Sequence, residues 1–227
     1  MQLTGLGIYT YSEAARLAGV RSVELRRWLR GYVSGKGERG RLQPPLWASE
    51  LADTGIDGVT FHDLLEVRFV KEFRKIGLSL QAIRIAATNA RELLDSPYPF
   101  TCKGFQTDGK SIFVDALRES GETELLDLLK RQYVFDKIVR PSLYAGIEFG
   151  TDKRATRWYP MERSKAVVLD PTIAFGKPIV TKAALRTDIL HDAWLAENKD
   201  RRRVARLYEV PVEAVDAAIR FEQRSAA

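Results

Sequence analysis

The segment "YSEAARLAGVRSVELRRWL", residues 11–29, restricts the fold more than any other stretch because it predicts two short helices with a tight corner at Gly19. Around that corner, apolar residues recur at the spacing that two helices need when they cross at a steep angle and share a core. A small residue, Ala15, stands where the helices would approach most closely. The predicted core positions are Ala14, Ala18, Val20, Leu25 and Trp28.

The same pattern recurs in "RRRVARLYEVPVEAVDAAI", residues 201–219, when the first pattern is shifted by 190 positions from Gly19 to Glu209. Ala205 then takes the position of closest approach, and glutamate replaces glycine at the corner. The chain is therefore predicted to contain two helix-turn-helix units, and its fold class to be mainly α with small β elements. The shifted core positions are Val204, Tyr208, Val210, Val215 and Ala218.

Proline, glycine and charge interrupt the helical pattern between the two pairs. Residues 32–59 predict a loop or hairpin. The helical period returns at Phe61, stops at Gly77 and resumes after Ser79, which can cap the next helix. We therefore expect a helix pair to follow the loop.

Further along, "DSPYP" ends that second helix, because proline cannot continue the backbone hydrogen bonds. The dipeptide Asp108-Gly109 is a strong hairpin signal, residues 125–138 have a helical pattern, and short β-rich pieces lie within 147–180. The predicted arrangement is a winged helix-turn-helix domain, a β-rich connecting segment and a C-terminal helix-turn-helix domain, at residues 1–99, 100–165 and 166–227.

Lysine and arginine outnumber aspartate and glutamate by 36 to 30 in this chain of 227 residues, and the positive charge is clustered. Clusters of this kind are typical of proteins that bind a polyanion, although a solvated face gives the same pattern. The second helix of the first pair and the loop after it carry side chains that suit phosphates and guanine edges. We predict that double-stranded DNA is contacted by Arg21, Ser22, Arg26, Arg27, Arg30, Lys36, Arg39 and Arg41.

A second basic cluster lies on the first helix of the later pair, and we assign Arg201, Arg202 and Arg203 to DNA as well. The helix that follows presents Glu213 and Asp216, and acidic groups repel a phosphate backbone. This later pair is therefore the poorer DNA reader. Contact with the DNA backbone and a role in packing and pairing both remain open for it.

Pairing of two chains is expected because one helix-turn-helix reads only a few base pairs, so a homodimer on an inverted-repeat operator follows. The last helix offers Val212, Val215 and Ile219, spaced by three and four, as a dimerisation stripe. The alternative is that these side chains only close the domain's own core, since Val215 already fits the helix-turn-helix pattern.

Residue types that catalysis or metal binding requires are sparse. His62 and His191 are isolated, and the single cysteine, Cys102, has no partner spacing for zinc. No apolar run approaches the ~20 residues that cross a bilayer, and no signal-peptide pattern opens the chain. We therefore expect a cytoplasmic protein that is not an enzyme and has no metal, cofactor or membrane partner.

Residues 9–94 resemble the winged helix-turn-helix of the MerR family. The resemblance rests on "YTYSEAARLAGVRSVELRRWL", on "GKGERG" at the position of the wing, and on a following helix pair that contains "IGLSLQAI". By motif position, Arg26 corresponds to the family's phosphate-contacting arginine and Trp28 to the aromatic residue that follows. The family pairs through a long coiled-coil helix, which "DSPYP" interrupts in this chain.

Residues 167–222 resemble a small bacterial domain of formerly unknown function that usually occurs in antitoxins beside PIN-like ribonuclease toxins. The match includes "VVLDPTIAFGKPIV" and the later helix-turn-helix, although "TKAALRTDIL" stands where family members have "GTRIPV". Together with its MerR-like part, the chain resembles VapB-type antitoxins. This implies a repressor that regulates its own operon and neutralises a cognate PIN-like toxin. The alternatives are a stand-alone MerR-like transcription factor with a ligand in residues 100–165, and a protein-interaction module without DNA binding.

Overall fold

The structure of the protein is a computed structural model, and it is mainly helical with small β elements, as predicted. It describes residues 5–34, 40–122 and 143–226. Its helices are α1 Tyr11–Ala18, α2 Ser22–Arg30, α3 Phe61–Lys75, α4 Leu80–Leu94, α5 Phe105–Ser120, α6 Thr187–Ala196, α7 Arg201–Leu207 and α8 Val212–Ala226. Its strands are β1 Ile8–Tyr9, β2 Tyr32–Ser34, β3 Arg41–Gln43, β4 Val59–Thr60, β5 Ile147–Phe149, β6 Ala155–Trp158, β7 Val167–Val168, β8 Ile179–Val180 and β9 Leu185–Arg186.

The chain forms two compact units. The first, named the N-terminal unit, consists of Thr10–Ala145 and Gly150–Arg154. The second, named the C-terminal unit, consists of Met1–Tyr9, Gly146–Phe149 and Ala155–Ala227. Each predicted helix-turn-helix pair lies within one unit, the first in the N-terminal unit and the second in the C-terminal unit.

The corner between α1 and α2 closes with the two backbone hydrogen bonds of a Schellman motif. The amide of Gly19 donates to the carbonyl of Arg16 at 3.2 Å, and the amide of Val20 donates to the carbonyl of Ala15 at 2.9 Å. Gly19 has a φ of 66°, a left-handed conformation that glycine adopts without a steric cost.

The corner between α7 and α8 has the same two hydrogen bonds, shifted by the same number of residues. The amide of Glu209 donates to the carbonyl of Arg206 at 3.3 Å, and the amide of Val210 donates to the carbonyl of Ala205 at 2.9 Å. Glu209 also takes the left-handed conformation, with a φ of 54°. The predicted core positions are buried or partly buried in both pairs, so the internal repeat is confirmed down to individual hydrogen bonds.

The predicted helix boundaries around α3 and α4 are also confirmed. The amides of Gly77 and Leu78 donate to carbonyls in the last turn of α3 and end that helix. The Ser79 hydroxyl accepts a backbone amide in the first turn of α4, as an N-cap does. At the start of α1, Thr10 and Glu13 form a capping box, in which each side chain accepts the other residue's amide.

The hairpin predicted at Asp108-Gly109 is wrong, because both residues lie inside α5. Gly109 serves close packing: a Cβ at this position would lie 2.7 Å from the Phe105 ring. Helical packing of one face therefore overrides the local turn preference of an Asp-Gly pair. The buried residues of that face are Phe105, Ile112, Phe113, Ala116 and Leu117. The helix predicted at 125–138 lies outside the described residues.

The strands predicted within residues 147–180 are confirmed. Strands β5 and β6 form an antiparallel hairpin, and β7, β8 and β9 form an antiparallel three-stranded sheet with β8 in the centre. An antiparallel bridge joins Trp158 to Leu169. Within the C-terminal unit, this bridge thus connects the two small sheets.

Buried aromatic rings hold α3, α5 and the turn after α4 together in the N-terminal unit. The Phe73 ring lies 5.0 Å from that of Phe100 and 4.7 Å from that of Phe113, both in edge-to-face contacts. The Phe69 ring meets that of Tyr144 at 5.0 Å in the same manner. These edge-to-face contacts add to the hydrophobic burial that stabilises the core.

A buried carboxyl group on α3, that of Glu66, holds the turn that follows the "DSPYP" segment. Glu66 is fully buried and accepts hydrogen bonds from the amides of Phe100 and Thr101, at 3.1 and 2.8 Å, and from the Thr101 hydroxyl at 2.7 Å. Burial raises the pKa of Glu66 to about 8, although these hydrogen bonds act in the opposite direction.

The predicted dimerisation stripe is already used within the C-terminal unit. Val215 and Ile219 are buried in that unit's own core, and Val212 is partly buried against it. The other side of α8 is buried as well, including Ala214 and Phe221. The burial of Val215 and Ile219 supports the alternative considered above, closure of the domain's own core, whereas Val212 is only partly buried. A role of this stripe in pairing two chains stays a prediction.

The two corners generate a first prediction about stability. Glu209→Gly should raise the unfolding free energy of the C-terminal unit by about 0.5–1 kcal/mol, because glycine relieves the left-handed strain. Gly19→Ala should lower the unfolding free energy of the N-terminal unit by about 1–2 kcal/mol, because alanine is strained in the left-handed conformation. Urea unfolding followed by circular dichroism measures both. A glycine variant at 209 that is no more stable than the wild type would contradict this account.

Glu66 generates a prediction about pH. Its pKa lies above the ordinary value of 4.5, so the folded state holds the proton more tightly than the unfolded chain does. This contribution to stability is complete at low pH and is lost as the pH rises through about 8, with a slope of up to about 1.4 kcal/mol per pH unit. Glu66→Gln should remove that slope between about pH 5 and pH 8, relative to an exposed control, Glu92→Gln. If the urea midpoints of the two variants change with pH in the same way, this role of Glu66 is contradicted.

Candidate nucleic-acid interface

Helix α2 separates its apolar and polar side chains cleanly. Leu25, Trp28 and Leu29 are buried and hold the helix against the N-terminal unit's core. The remaining predicted contact residues of this helix lie together on its exposed side, which we name the α2 surface. The α2 surface consists of Ser22, Arg26, Arg27 and Arg30.

Arg26 and Arg30 both contact the side chains of Tyr11 and Asp57. The Arg26 guanidinium stacks 4.1 Å above the Tyr11 ring, and the Arg30 Nε donates to the Tyr11 hydroxyl at 3.0 Å. Asp57 then accepts from both guanidinium groups, at 3.3 Å from Arg26 and 3.0 Å from Arg30. The hydrogen bond with Tyr11 and the Asp57 carboxylate both raise the pKa of Arg30, whose guanidinium is charged at physiological pH in any case.

Arg27 and Arg21 have different surroundings. Arg27 stacks 4.0 Å above the ring of Tyr32 in β2 and has no carboxylate partner among the described residues. Arg21 pairs with Glu24 at 2.8 Å, and that hydrogen bond lowers the pKa of the glutamate. Arg27 therefore keeps more of its charge available to an anion than the other three arginines do.

The wing predicted after α2 contains the expected hairpin strands. Strands β2 and β3 pair antiparallel, with Ser34 opposite Arg41. Arg41 is exposed, while Lys36 and Arg39 lie outside the described residues. The hairpin starts immediately after α2, so the exposed Arg41 and the α2 surface belong to one continuous stretch of chain.

The loop of residues 44–58 carries Asp57 and is itself firmly anchored. The Leu46 amide donates to the Trp28 carbonyl at 2.9 Å, which ties the loop to α2. The Trp47 indole and the Ser49 hydroxyl donate to Asp63 at the start of α3. These bonds hold the loop in place against the helix whose arginines it contacts.

Sequence reasoning missed Tyr11, Tyr32 and Asp57 as parts of this surface. No local pattern marks them, because Asp57 is 27 and 31 residues from the two arginines it contacts, and only the fold brings them together. The one available hint was that the loop contains an acidic residue between two glycines, which is also common in ordinary turns.

The C-terminal basic cluster is largely neutralised. Arg201 pairs with Asp216 of α8 at 3.0 Å, and Arg203 pairs with Glu197 at 2.5 Å. The Arg202 side chain is exposed and has no carboxylate ion-pair partner in the part of the chain that the structure describes. The structure thus places these three side chains on α7 but leaves one of them unpaired.

Other candidate sites are weaker. Across residues 5–34, 40–122 and 143–226, no three His, Cys, Asp or Glu side chains come close enough to hold a metal ion. His62 stacks on the Tyr98 ring at 4.5 Å, and Cys102 is buried with its pKa raised by desolvation. No helix in these ranges has the length and apolar character that a membrane crossing requires.

Three comparisons relate this chain to known proteins. Residues 7–87 match the family model described as "Putative DNA-binding HTH domain". The curated protein named "Putative antitoxin VapB45" from Mycobacterium tuberculosis is 28% identical over 195 residues, which cover 81% of each chain. The crystal structure of Rv2018 from Mycobacterium tuberculosis has a TM-score of 0.69 at 23% identity and covers 96% of this chain and 99% of that chain, so the two share a fold.

Proposed function

We propose that this protein is an antitoxin that binds double-stranded DNA through the α2 surface and the β2–β3 wing. The observation that carries the proposal is the α2 surface itself, where arginines line the exposed side of the second helix of a helix-turn-helix and a hairpin wing follows at once. The family match at residues 7–87 and the likeness to an antitoxin over most of the chain support it. The protein acts by binding and not by catalysis.

In the proposed complex, α2 enters the major groove and the wing follows the phosphate backbone. Arg27, with no carboxylate partner among the described residues, is suited to a phosphate or a guanine edge. Arg26, which is similar in position to the phosphate-contacting arginine of MerR proteins, lies beside it. Arg41, together with Lys36 and Arg39, supplies the wing's positive charge.

Repression of its own operon is part of the proposal, since an antitoxin that binds its operator controls its own supply. Two chains on an inverted repeat would place their α2 helices about 34 Å apart in successive major grooves. Because Val215 and Ile219 of the α8 stripe are buried in the unit's own core, we propose that pairing uses another surface. The C-terminal unit would serve the second task, the neutralisation of a PIN-like ribonuclease toxin.

The DNA-binding step can be tested by selecting duplexes from a random pool with the full-length protein. The double change Arg26→Ala with Arg27→Ala should weaken binding to the selected duplex by about 1–3 kcal/mol for each base-directed arginine. The matched control, Lys103→Ala with Arg118→Ala, removes two exposed charges outside the α2 surface. The wild type should bind as two chains per duplex. Equal affinities for the folded double variant and the control would contradict the assignment.

The toxin-binding step can be tested by sequencing the genomic neighbourhood and co-expressing the protein with a PIN-like reading frame found there; a neighbourhood without such a frame would contradict a PIN-like partner. The wild-type protein should restore growth and co-purify with the toxin. The Arg26→Ala, Arg27→Ala variant should do the same, because neutralisation is proposed to use the C-terminal unit. Continued growth arrest in the presence of folded wild-type protein would remove the antitoxin function and leave the DNA-binding function intact.

A further inference from the structure

Among the described residues, Asp57 is the carboxylate that pairs with arginines of the α2 surface. In the described part of the chain, the hydrogen bonds of the Asp57 side chain go to Arg26 and Arg30. We propose that Asp57 determines selectivity: it holds these two arginines in a fixed orientation and reduces their attraction to phosphate, so that binding depends on base edges. This inference rests on the proposed DNA binding and adds a residue that discriminates between duplex sequences.

The geometry of the contacts supports an orienting role. The Arg30 guanidinium donates three hydrogen bonds: Nε to the Tyr11 hydroxyl at 3.0 Å, and Nη2 to the Asp57 carboxylate at 3.0 Å and to the Ile56 carbonyl at 3.5 Å. Arg26 lies between the Tyr11 ring and the same carboxylate. These contacts favour particular positions of both guanidinium groups before any ligand arrives, which reduces the entropy that an arginine loses on binding.

The position of Asp57 is fixed by its loop. The hydroxyl of Thr54 accepts the Ile56 amide and donates to the Leu51 carbonyl, so the residues before Asp57 form a closed turn. Leu51 is buried, and Leu46 is tied to α2 by a backbone hydrogen bond. These contacts hold the loop in place, so an approaching phosphate cannot easily push Asp57 away from the α2 surface.

The charge of Asp57 acts against nonspecific binding. Nonspecific affinity for DNA comes almost wholly from phosphate neutralisation by lysine and arginine. A carboxylate about 3 Å from two arginines cancels part of their field and repels a phosphate at the same place. Arginine can still donate to guanine, and a carboxylate can accept from the amino group of cytosine, so base-edge contacts are not penalised in the same way.

The test compares Asp57→Asn with Asp53→Asn in the full-length protein. Asparagine keeps the size and the acceptor oxygen at 57 but removes the charge. Asp53 lies in the same loop, is exposed and has no ion-pair partner among the described residues, so its variant has the same net charge. The ligands are a fixed duplex of arbitrary sequence and the duplex that the wild type selects from a random pool.

We expect Asp57→Asn to bind the arbitrary duplex about three- to tenfold more tightly than Asp53→Asn does, with a log–log salt slope steeper by about 0.9–1.8, as for one or two added phosphate contacts. Its preference for the selected duplex should fall by a similar factor. In a background of Arg26→Ala and Arg30→Ala, the two asparagine variants should behave alike.

The outcomes separate the two proposals. If the wild type selects a duplex but Asp57→Asn matches Asp53→Asn on both ligands, the selectivity role is overturned and the DNA-binding function stands. If Asp57→Asn loses affinity for both duplexes equally, Asp57 only supports the arginines structurally, which also overturns the role. If the wild type binds no duplex at any salt concentration, the proposed function fails, and the selectivity role fails with it.

Discussion

The N-terminal unit depends on one buried carboxylate, Asp63, at the start of α3. It is fully buried and accepts hydrogen bonds from the Trp47 indole, the Ser49 hydroxyl and the Thr60 amide. Burial raises the pKa of Asp63, while these donors favour its charged form. A buried carboxylate without such partners would cost several kcal/mol. The hydrogen bonds therefore hold the 44–58 loop against α3, and that loop carries Asp57, which contacts the α2 surface.

The positions of the arginines on α2 therefore depend on contacts made by several other elements. Asp63 fixes the loop, the loop places Asp57, and Asp57 orients the arginines on the exposed side of α2. Tyr11 of α1 completes the arrangement from the other side through its ring and its hydroxyl. A surface arginine usually has many conformations, and these contacts favour some of them over others for Arg26 and Arg30.

The two helix-turn-helix pairs have the same backbone geometry at the corner but different exposed side chains. Both corners have the same pair of hydrogen bonds, at Gly19 and at Glu209, and both bury a small alanine between the helices. The exposed side of α2 carries arginines, whereas α8 presents Glu213 and pairs Asp216 with Arg201. The backbone geometry therefore does not decide which pair meets a polyanion, and the outward side chains do.

The sequence by itself determined the local structure of both pairs. Apolar spacing, a small contact residue and a corner that accepts a left-handed conformation are short-range properties, so the pattern around Gly19 and its copy at Glu209 predicted the observed geometry. The outward position of Arg26, Arg27 and Arg30 followed from the same helical period.

Tertiary structure alone decided the rest, because it depends on contacts between residues far apart in the chain. The Asp108-Gly109 pair became helical when one face of α5 packed among the aromatic rings of the core, against its local turn preference. The valine and isoleucine stripe of α8 is the same pattern whether it faces a second chain or its own core, and only packing assigned it to the core. Asp57 contacts the arginines because its loop is held by buried residues and by hydrogen bonds to Asp63. These are contacts between residues far apart in the chain, so local sequence spacing does not predict them.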